Sequence, residues 1–136
     1  MGKINLEVVT PSGIITSVEA DTVAAPGSDG EFGVLPGHIN FLTGIVPGEL
    51  RYSIGDKTEF MAVDSGFAEV SNDKVSILVD SAEFAYDIDV ERAKSAMERA
   101  QQRLAEKKDK SDVDFLRAES ALKRSISRIK VAEKTK

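Results

Sequence analysis

Arg92-Ala93-Lys94-Ser95-Ala96-Met97-Glu98-Arg99-Ala100-Gln101-Gln102-Arg103-Leu104 aligns without a gap on Arg117-Ala118-Glu119-Ser120-Ala121-Leu122-Lys123-Arg124-Ser125-Ile126-Ser127-Arg128-Ile129. Both copies read Arg-Ala-x-Ser-Ala-apolar-x-Arg-x-x-x-Arg-apolar. At about 100° per residue, arginines at i, i+7 and i+11 fall within roughly a 40° arc of a helix. Each copy is therefore expected to carry a stripe of arginines along an alanine-rich apolar face. No Gly or Pro interrupts Val90 to about Lys107, and Asp87 or Asp89 is placed to cap that helix. Lys107-Lys108-Asp109-Lys110 is a polar break, and a second helix starts at Ser111-Asp112 and runs to about Val131. Ser111-x-x-Asp114 resembles a capping box, with Asp in place of the usual Glu. So short a break turns the second helix back on the first, as an antiparallel hairpin.

The seam of that hairpin is thin. The first helix offers Ala93, Ala96, Met97, Ala100 and Leu104; the second offers Ala118, Leu122, Ser125, Ile129 and Ala132. Alanine buries far less apolar area than Leu or Ile, whose full burial is worth about 1.5–3 kcal/mol each. Small residues allow close approach, but the contact is weak, and isolated helices of this length are marginal in water. A hairpin built to come apart is the expectation.

The first 87 residues follow a different grammar. Ile4–Val9 is followed by the turn signal Thr10-Pro11-Ser12-Gly13, and Val18–Val23 alternates with period two until Ala25-Pro26-Gly27-Ser28-Asp29-Gly30 breaks it. Further runs are Leu50–Ile54, Glu59–Val63, Phe67–Val70 and Val75–Val79, with turns at Gly55-Asp56 and Ser71-Asn72-Asp73-Lys74. Short strands at close spacing suggest an antiparallel sandwich or barrel.

Charge divides the chain at the same place. Residues 1–87 hold 4 Lys/Arg against 14 Asp/Glu, net −10, whereas residues 88–136 hold 14 against 9, net +5. The two halves are expected to face different electrostatic surroundings, with mutual attraction and two merely solvated surfaces as the alternative readings. At 136 residues there is room for one ordinary domain, or a small one with an appendage. No apolar run approaches the roughly 18–20 residues of a membrane span, and Met1-Gly2-Lys3-Ile4-Asn5 does not read as a signal peptide. The lack of cysteine fits a cytosolic setting.

Catalytic chemistry finds little support. There is no G-x-x-x-x-G-K-S/T loop, G-x-S-x-G elbow or H-E-x-x-H, and His38 is the only histidine. One His and no Cys argue against zinc. Asp87-x-Asp89 and Asp112-x-Asp114 precede helices and read better as caps than as metal ligands. Gly27-x-x-Gly30-x-x-Gly33 lies between strand-like runs with no helix following, so tight turns explain it better than a phosphate cradle. Nucleic acid is disfavoured too, because the basic half has one aromatic residue, Phe115, and the acidic half repels phosphate. The arginine stripes remain. A single stripe reads as a solvated, snorkelling face, but six close cations on adjacent helices repel unless something screens them. Glu83, Asp89, Glu91 and Glu98 neutralise part of that charge. A triphosphate would do so with geometry that suits guanidinium.

Gly30-Glu31-Phe32-Gly33-Val34-Leu35-Pro36-Gly37-His38, then Ser65–Val70, Lys74–Val79, Ile88-Asp89-Val90-Glu91-Arg92-Ala93 and Ala121-Leu122-Lys123-Arg124, resemble the epsilon subunits of bacterial F-type ATP synthases. The resemblance spans nearly the whole chain in the right order. It implies an N-terminal antiparallel β-sandwich over residues 1–87 that binds the gamma subunit and the ring of membrane rotor subunits. Glu31 and His38 resemble the exposed loop that faces that ring. It also implies a C-terminal antiparallel two-helix hairpin over residues 88–136 that packs compactly or extends along gamma. In the extended state Lys123, Arg124, Arg128 and Lys130 meet the beta subunit of the alpha/beta catalytic hexamer, and ATP hydrolysis is inhibited.

Some members of the family bind ATP on the compact hairpin. The pattern Ile/Leu-Asp-x-x-Arg-Ala is complete at Ile88, Asp89, Arg92 and Ala93, and Glu83, Arg99, Arg124 and Arg128 match the other binding positions. Asp89 and Glu83 are then expected near the adenine or ribose, with the arginines near the phosphates; Arg103 and Arg117 complete the stripes. The implied whole is a non-catalytic, peripheral subunit at the cytoplasmic face of the cell membrane. It needs no cofactor or metal, takes ATP as an optional regulatory ligand, and couples proton-driven rotation to ATP synthesis. A stand-alone ATP-binding module and a purely structural adaptor are the rival readings.

Overall fold

Ile4, Leu6 and Val8 point inward from the first strand while the residues between them face out, the period-two signature of a half-buried strand. The structure is a computed structural model that describes residues 2–38, 40–106 and 112–135. Among these residues the chain forms β1 (Ile4–Thr10), β2 (Gly13–Ala20), β3 (Thr22–Gly27), β4 (Gly30–Val34) and β5 (Phe41–Ile45). It continues through β6 (Gly48–Ile54), β7 (Lys57–Val63), β8 (Gly66–Ser71), β9 (Lys74–Val79) and β10 (Ala82–Phe84). They pair in the order β10-β7-β6-β3-β5-β8-β9-β1-β2, with β4 added on β3. One core collects Ile4, Leu6 and Val8 of β1 with Leu50 of β6, Met61 of β7 and Ile77 of β9. Strands from distant places in the order thus feed one interior, and the sheet doubles over itself as a sandwich.

Among the described residues pairing is antiparallel with one exception: β1 runs parallel to β9, Asn5–Val9 lying beside Lys74–Leu78. The more than sixty residues between them supply the crossover that a parallel pair requires.

Several strand boundaries differ from the sequence expectation. The alternating run Val18–Val23 is cut at Asp21, where the chain leaves β2 for β3. The Asp21 backbone N–H donates to the Ser53 carbonyl at 2.8 Å. Its carboxylate accepts the Gly55 N–H at 2.7 Å and pairs with Lys3. These partners hold a change of direction that alternation cannot register. Ala25, Pro26 and Gly27 belong to β3 instead of a break, and the turn is confined to Ser28-Asp29. There the Pro26 carbonyl accepts the Val46 N–H at 3.0 Å. β4, β5 and β10 carry no strong apolar alternation, so periodicity does not reveal them. The turns at Gly55 and at Asn72-Asp73 lie where expected, with left-handed φ values of 62°, 51° and 60°.

Residue contacts divide the chain into Met1–Phe84 and Ala85–Lys136. The second unit begins with a 3-10 turn, Ala85–Asp87, followed by α1 (Val90–Ala105) and α2 (Asp112–Ala132), and closes on a 3-10 turn, Glu133–Thr135. Of the two candidate caps Asp89 serves: its Oδ1 accepts the Arg92 N–H at 3.1 Å. The polar break and Ser111 of the proposed capping box lie outside the described residues. α1 and α2 pack together, and the most buried helical positions are Ala93 and Ala100 on α1 with Ala118, Ser125, Val131 and Ala132 on α2. Ala96, Met97, Leu104, Leu122 and Ile129 are only half-buried, so small residues dominate the seam more than the sequence predicts. The Ser125 hydroxyl donates to the Ala121 carbonyl one turn back at 2.9 Å, which lets a polar residue sit there.

Candidate functional site

Pairing register builds the first candidate surface. On the outer side of the sheet Gly44 of β5 lies opposite Phe67 of β8, and Phe67 opposite Leu78 of β9. Leu78 pairs with Val9 of β1, and Val9 with Ile14 of β2. The result is an apolar band across five neighbouring strands. Phe67 is 62 % exposed, Leu78 52 % and Ile14 64 %, with Leu42 of β5 beside them at 69 %. In the adjoining row Leu42 faces Glu69, and the row is polar from there on, with Glu69 facing Ser76 and Ser76 facing Glu7. A contiguous exposed apolar patch rimmed by polar side chains marks an interaction site. The sequence places Phe67 and Leu78 in strands but does not reveal the band, because its members are brought together only by register.

The second surface holds Glu31 and His38. Glu31 points outward from β4, where it pairs with Arg51 of β6; Glu49 Oε2 approaches the same Arg51 Nη1 at 3.3 Å. The Glu31 carboxylate, chiefly by its hydrogen bond, holds the Arg51 proton more tightly than usual. His38 follows Gly37, whose φ of 83° suits a glycine, and its N–H donates to the Leu35 carbonyl at 3.1 Å. The imidazole is half-buried, with its centroid 5.2 Å from that of Phe41, and so is less exposed than a simple loop placement implies. Phe41 in turn meets Phe32 edge-on at 5.1 Å. Asp73 Oδ1 accepts the Gly37 N–H at 2.6 Å and Asn40 Oδ1 accepts the Asn72 N–H at 3.3 Å. Both bonds tie the loop to the β8–β9 turn. Arg51, Phe41 and Asp73 thus support the two residues that the sequence singles out. The left-handed turn at Asn72-Asp73 is the one local signal of that support.

The third surface is a depression of about 450 Å³ at the start of α1, lined by Asp89, Glu91, Arg92, Ser95 and Arg99. The structure therefore brings Asp89, Arg92 and Arg99 together. No α2 residue lines the depression among the described residues. Arg124 and Arg128 are half-buried on α2, while Lys123, Lys130, Arg103 and Arg117 are exposed. Ile88 and Ala93 are buried in the second unit, where they pack instead of presenting polar atoms. Glu83 lies on β10 opposite Ala62, in the first unit. Among the described residues no three His, Asp or Glu side chains are placed to hold a metal ion, and no helix is long and apolar enough to cross a membrane.

Comparison with known proteins agrees with this layout. Residues 3–85 match the family model for the ATP synthase delta/epsilon chain, beta-sandwich domain, and residues 87–133 match that for its long alpha-helix domain. The chain is 54 % identical to the ATP synthase epsilon chain of Syntrophobacter fumaroxidans over 133 residues, 98 % of either chain. It is 50 % identical to that of Nitratidesulfovibrio vulgaris over 128 residues, 94 % of either chain. Among solved structures, a chain of the Euglena gracilis mitochondrial ATP synthase superposes with a TM-score of 0.81 at 24 % identity, covering 93 % of this chain and 79 % of that one. A chain from the central stalk and c-ring of the Tetrahymena thermophila mitochondrial enzyme superposes with a TM-score of 0.57 at 16 % identity, covering 99 % and 98 %. At these identities the structural likeness speaks to the fold.

Proposed function

The chain belongs to the family of ATP synthase epsilon chains, and from that premise we propose that it is a non-catalytic subunit of the rotary central stalk. In this reading it joins the gamma subunit to the ring of membrane rotor subunits and so takes part in coupling proton flow to ATP synthesis. The apolar band Phe67–Leu78–Val9–Ile14 carries the proposal. It gives an acidic domain a contiguous apolar surface for a permanent neighbour, which we assign to gamma, while Glu31 of β4 and the loop that follows it to His38 are assigned to the ring. Such a subunit is peripheral, held at the cytoplasmic face of the cell membrane by its partners.

The hairpin is proposed as the regulatory part. The alanine-rich seam between α1 and α2 buries little apolar area, so extension is opposed by little more than that area. The basic residues Lys123, Arg124, Arg128 and Lys130 would then reach an acidic surface of the beta subunit in the catalytic hexamer and restrain hydrolysis. Deleting residues 88–136 tests this: assembly should survive, and ATP hydrolysis by the assembled enzyme should rise. Unchanged hydrolysis by a fully assembled enzyme would leave the hairpin a structural adaptor.

A second role, a regulatory ATP site, is favoured by the depression that gathers Asp89, Arg92 and Arg99. ATP would stabilise the compact hairpin only by binding it better than the extended one. Calorimetric titration of the purified chain should show binding that Arg92→Ala and Arg124→Ala abolish. Binding that survives both substitutions would remove those residues from the site.

A further inference from the structure

Gly33 has no explanation within the fold. Its φ is not in the left-handed region, and a Cβ built on it meets nothing nearer than the Val23 carbonyl oxygen, at 4.0 Å. A glycine inside a strand otherwise weakens it, so such a residue marks a place where another backbone approaches closely. Gly33 is exposed on β4, on the same side as Glu31 two residues earlier. It lies opposite Ala24 of β3, which lies opposite Arg51 of β6. Gly33 and Ala24, both small, contribute to a depression of about 410 Å³ that is also lined by Leu35, Thr22 and Ser53. Leu35 stands 61 % exposed at that surface.

Arg51 bonds one oxygen of Glu31 and is itself steadied by Glu49. Among the described residues Glu31 has no other partner, which leaves its second oxygen available. A carboxylate held by a guanidinium on the neighbouring strands loses less freedom when a partner binds than one on a mobile side chain.

We propose that Gly33 and Arg51 fit this face to the rotor ring: Gly33 keeps the depression open for a ring loop, and Arg51 positions Glu31 to receive its hydrogen-bond donors. The occupant is a loop of the ring subunits that brings donors to the free Glu31 oxygen and an apolar side chain to Leu35. This rests on the assignment of Glu31 and the loop up to His38 to the ring, and it adds what the fit depends on. Arg51 is a positioning residue, acting through Glu31.

The test uses the full chain and a complex of gamma with the rotor ring from which the chain has been removed. Gly33→Val should leave the urea midpoint of the free chain and its affinity for gamma alone unchanged, yet weaken docking on the gamma–ring complex about tenfold. Arg51→Met should also weaken docking, Arg51→Lys should recover part of the loss, and the effect of Arg51→Met should vanish in a Glu31→Gln background. Parental docking by Gly33→Val overturns the role of Gly33, as does a lowered urea midpoint, which would give the glycine to the fold. An undiminished Arg51→Met effect in the Glu31→Gln background overturns positioning. If Glu31→Gln and Leu35→Glu both dock like the parent, the ring contact lies elsewhere and the underlying assignment fails with the proposal.

Discussion

Replacing Phe67 by alanine strikes the centre of the apolar band and gives the sharpest test of its assignment to gamma. The side chain is 62 % exposed in the free chain. A phenylalanine of about 200 Å² therefore leaves about 120 Å² for a partner to cover, worth about 3 kcal/mol at about 25 cal/mol per Å². Alanine retains about a third of that area, so the expected loss is about 2 kcal/mol, or about 30-fold in Kd. Folding should suffer much less, because within the free chain the ring supports the cross-strand pairings with Leu78 and Gly44, worth about 1 kcal/mol or less. Titration calorimetry of the chain against a catalytic hexamer carrying gamma, with a parallel urea melt, separates the two. An affinity within about twofold of the parent, with the fold intact, would refute the assignment. A loss of stability as large as the loss of affinity would show that Phe67 serves the sheet.

Three further outcomes follow from local geometry. Gly66→Ala should be severely destabilising, by about 3 kcal/mol or more in urea denaturation, since its Cβ would lie 2.0 Å from the Leu78 carbonyl oxygen and 2.7 Å from the Val79 Cα. Asp89→Ala removes the acceptor of the Arg92 N–H and should cost α1 about 1 kcal/mol, seen as faster amide exchange in the first turn of α1 with β1–β10 unaffected. The Asp21 carboxyl is held below its ordinary value of 3.8, first by its hydrogen bond to Lys3 and then by the Gly55 N–H. Its folded pKa is depressed, so the stability it contributes is present above that ordinary value and is lost as pH falls through the folded pKa. Asp21→Asn should accordingly flatten the acid limb of the urea midpoint below about pH 4, and an acid limb as steep as the parent's would show that other carboxylates dominate it.

Features set by local interactions are legible in the linear chain. The hairpin helices can be read there because helical periodicity, caps and breaks act over three to seven residues, and Asp89 lies where such a signal is expected. The strands with alternating or continuous apolar runs are legible for the same reason. The family pattern points to Glu31, Asp89 and Arg92 without showing what surrounds them. Tertiary structure alone decides the rest, because long-range pairing has no period along the chain. It sets Leu78 beside Phe67 and Val9 and turns scattered apolar residues into one band. It places Arg51 against Glu31, twenty residues away, and the Asp73 carboxylate under the Gly37 amide, thirty-six away. The parallel pairing of β1 with β9 and the break of the Val18–Val23 run at Asp21 belong to the same class. Each depends on partners that only closing the sheet over its core brings together, and burial of that core is the force that closes it.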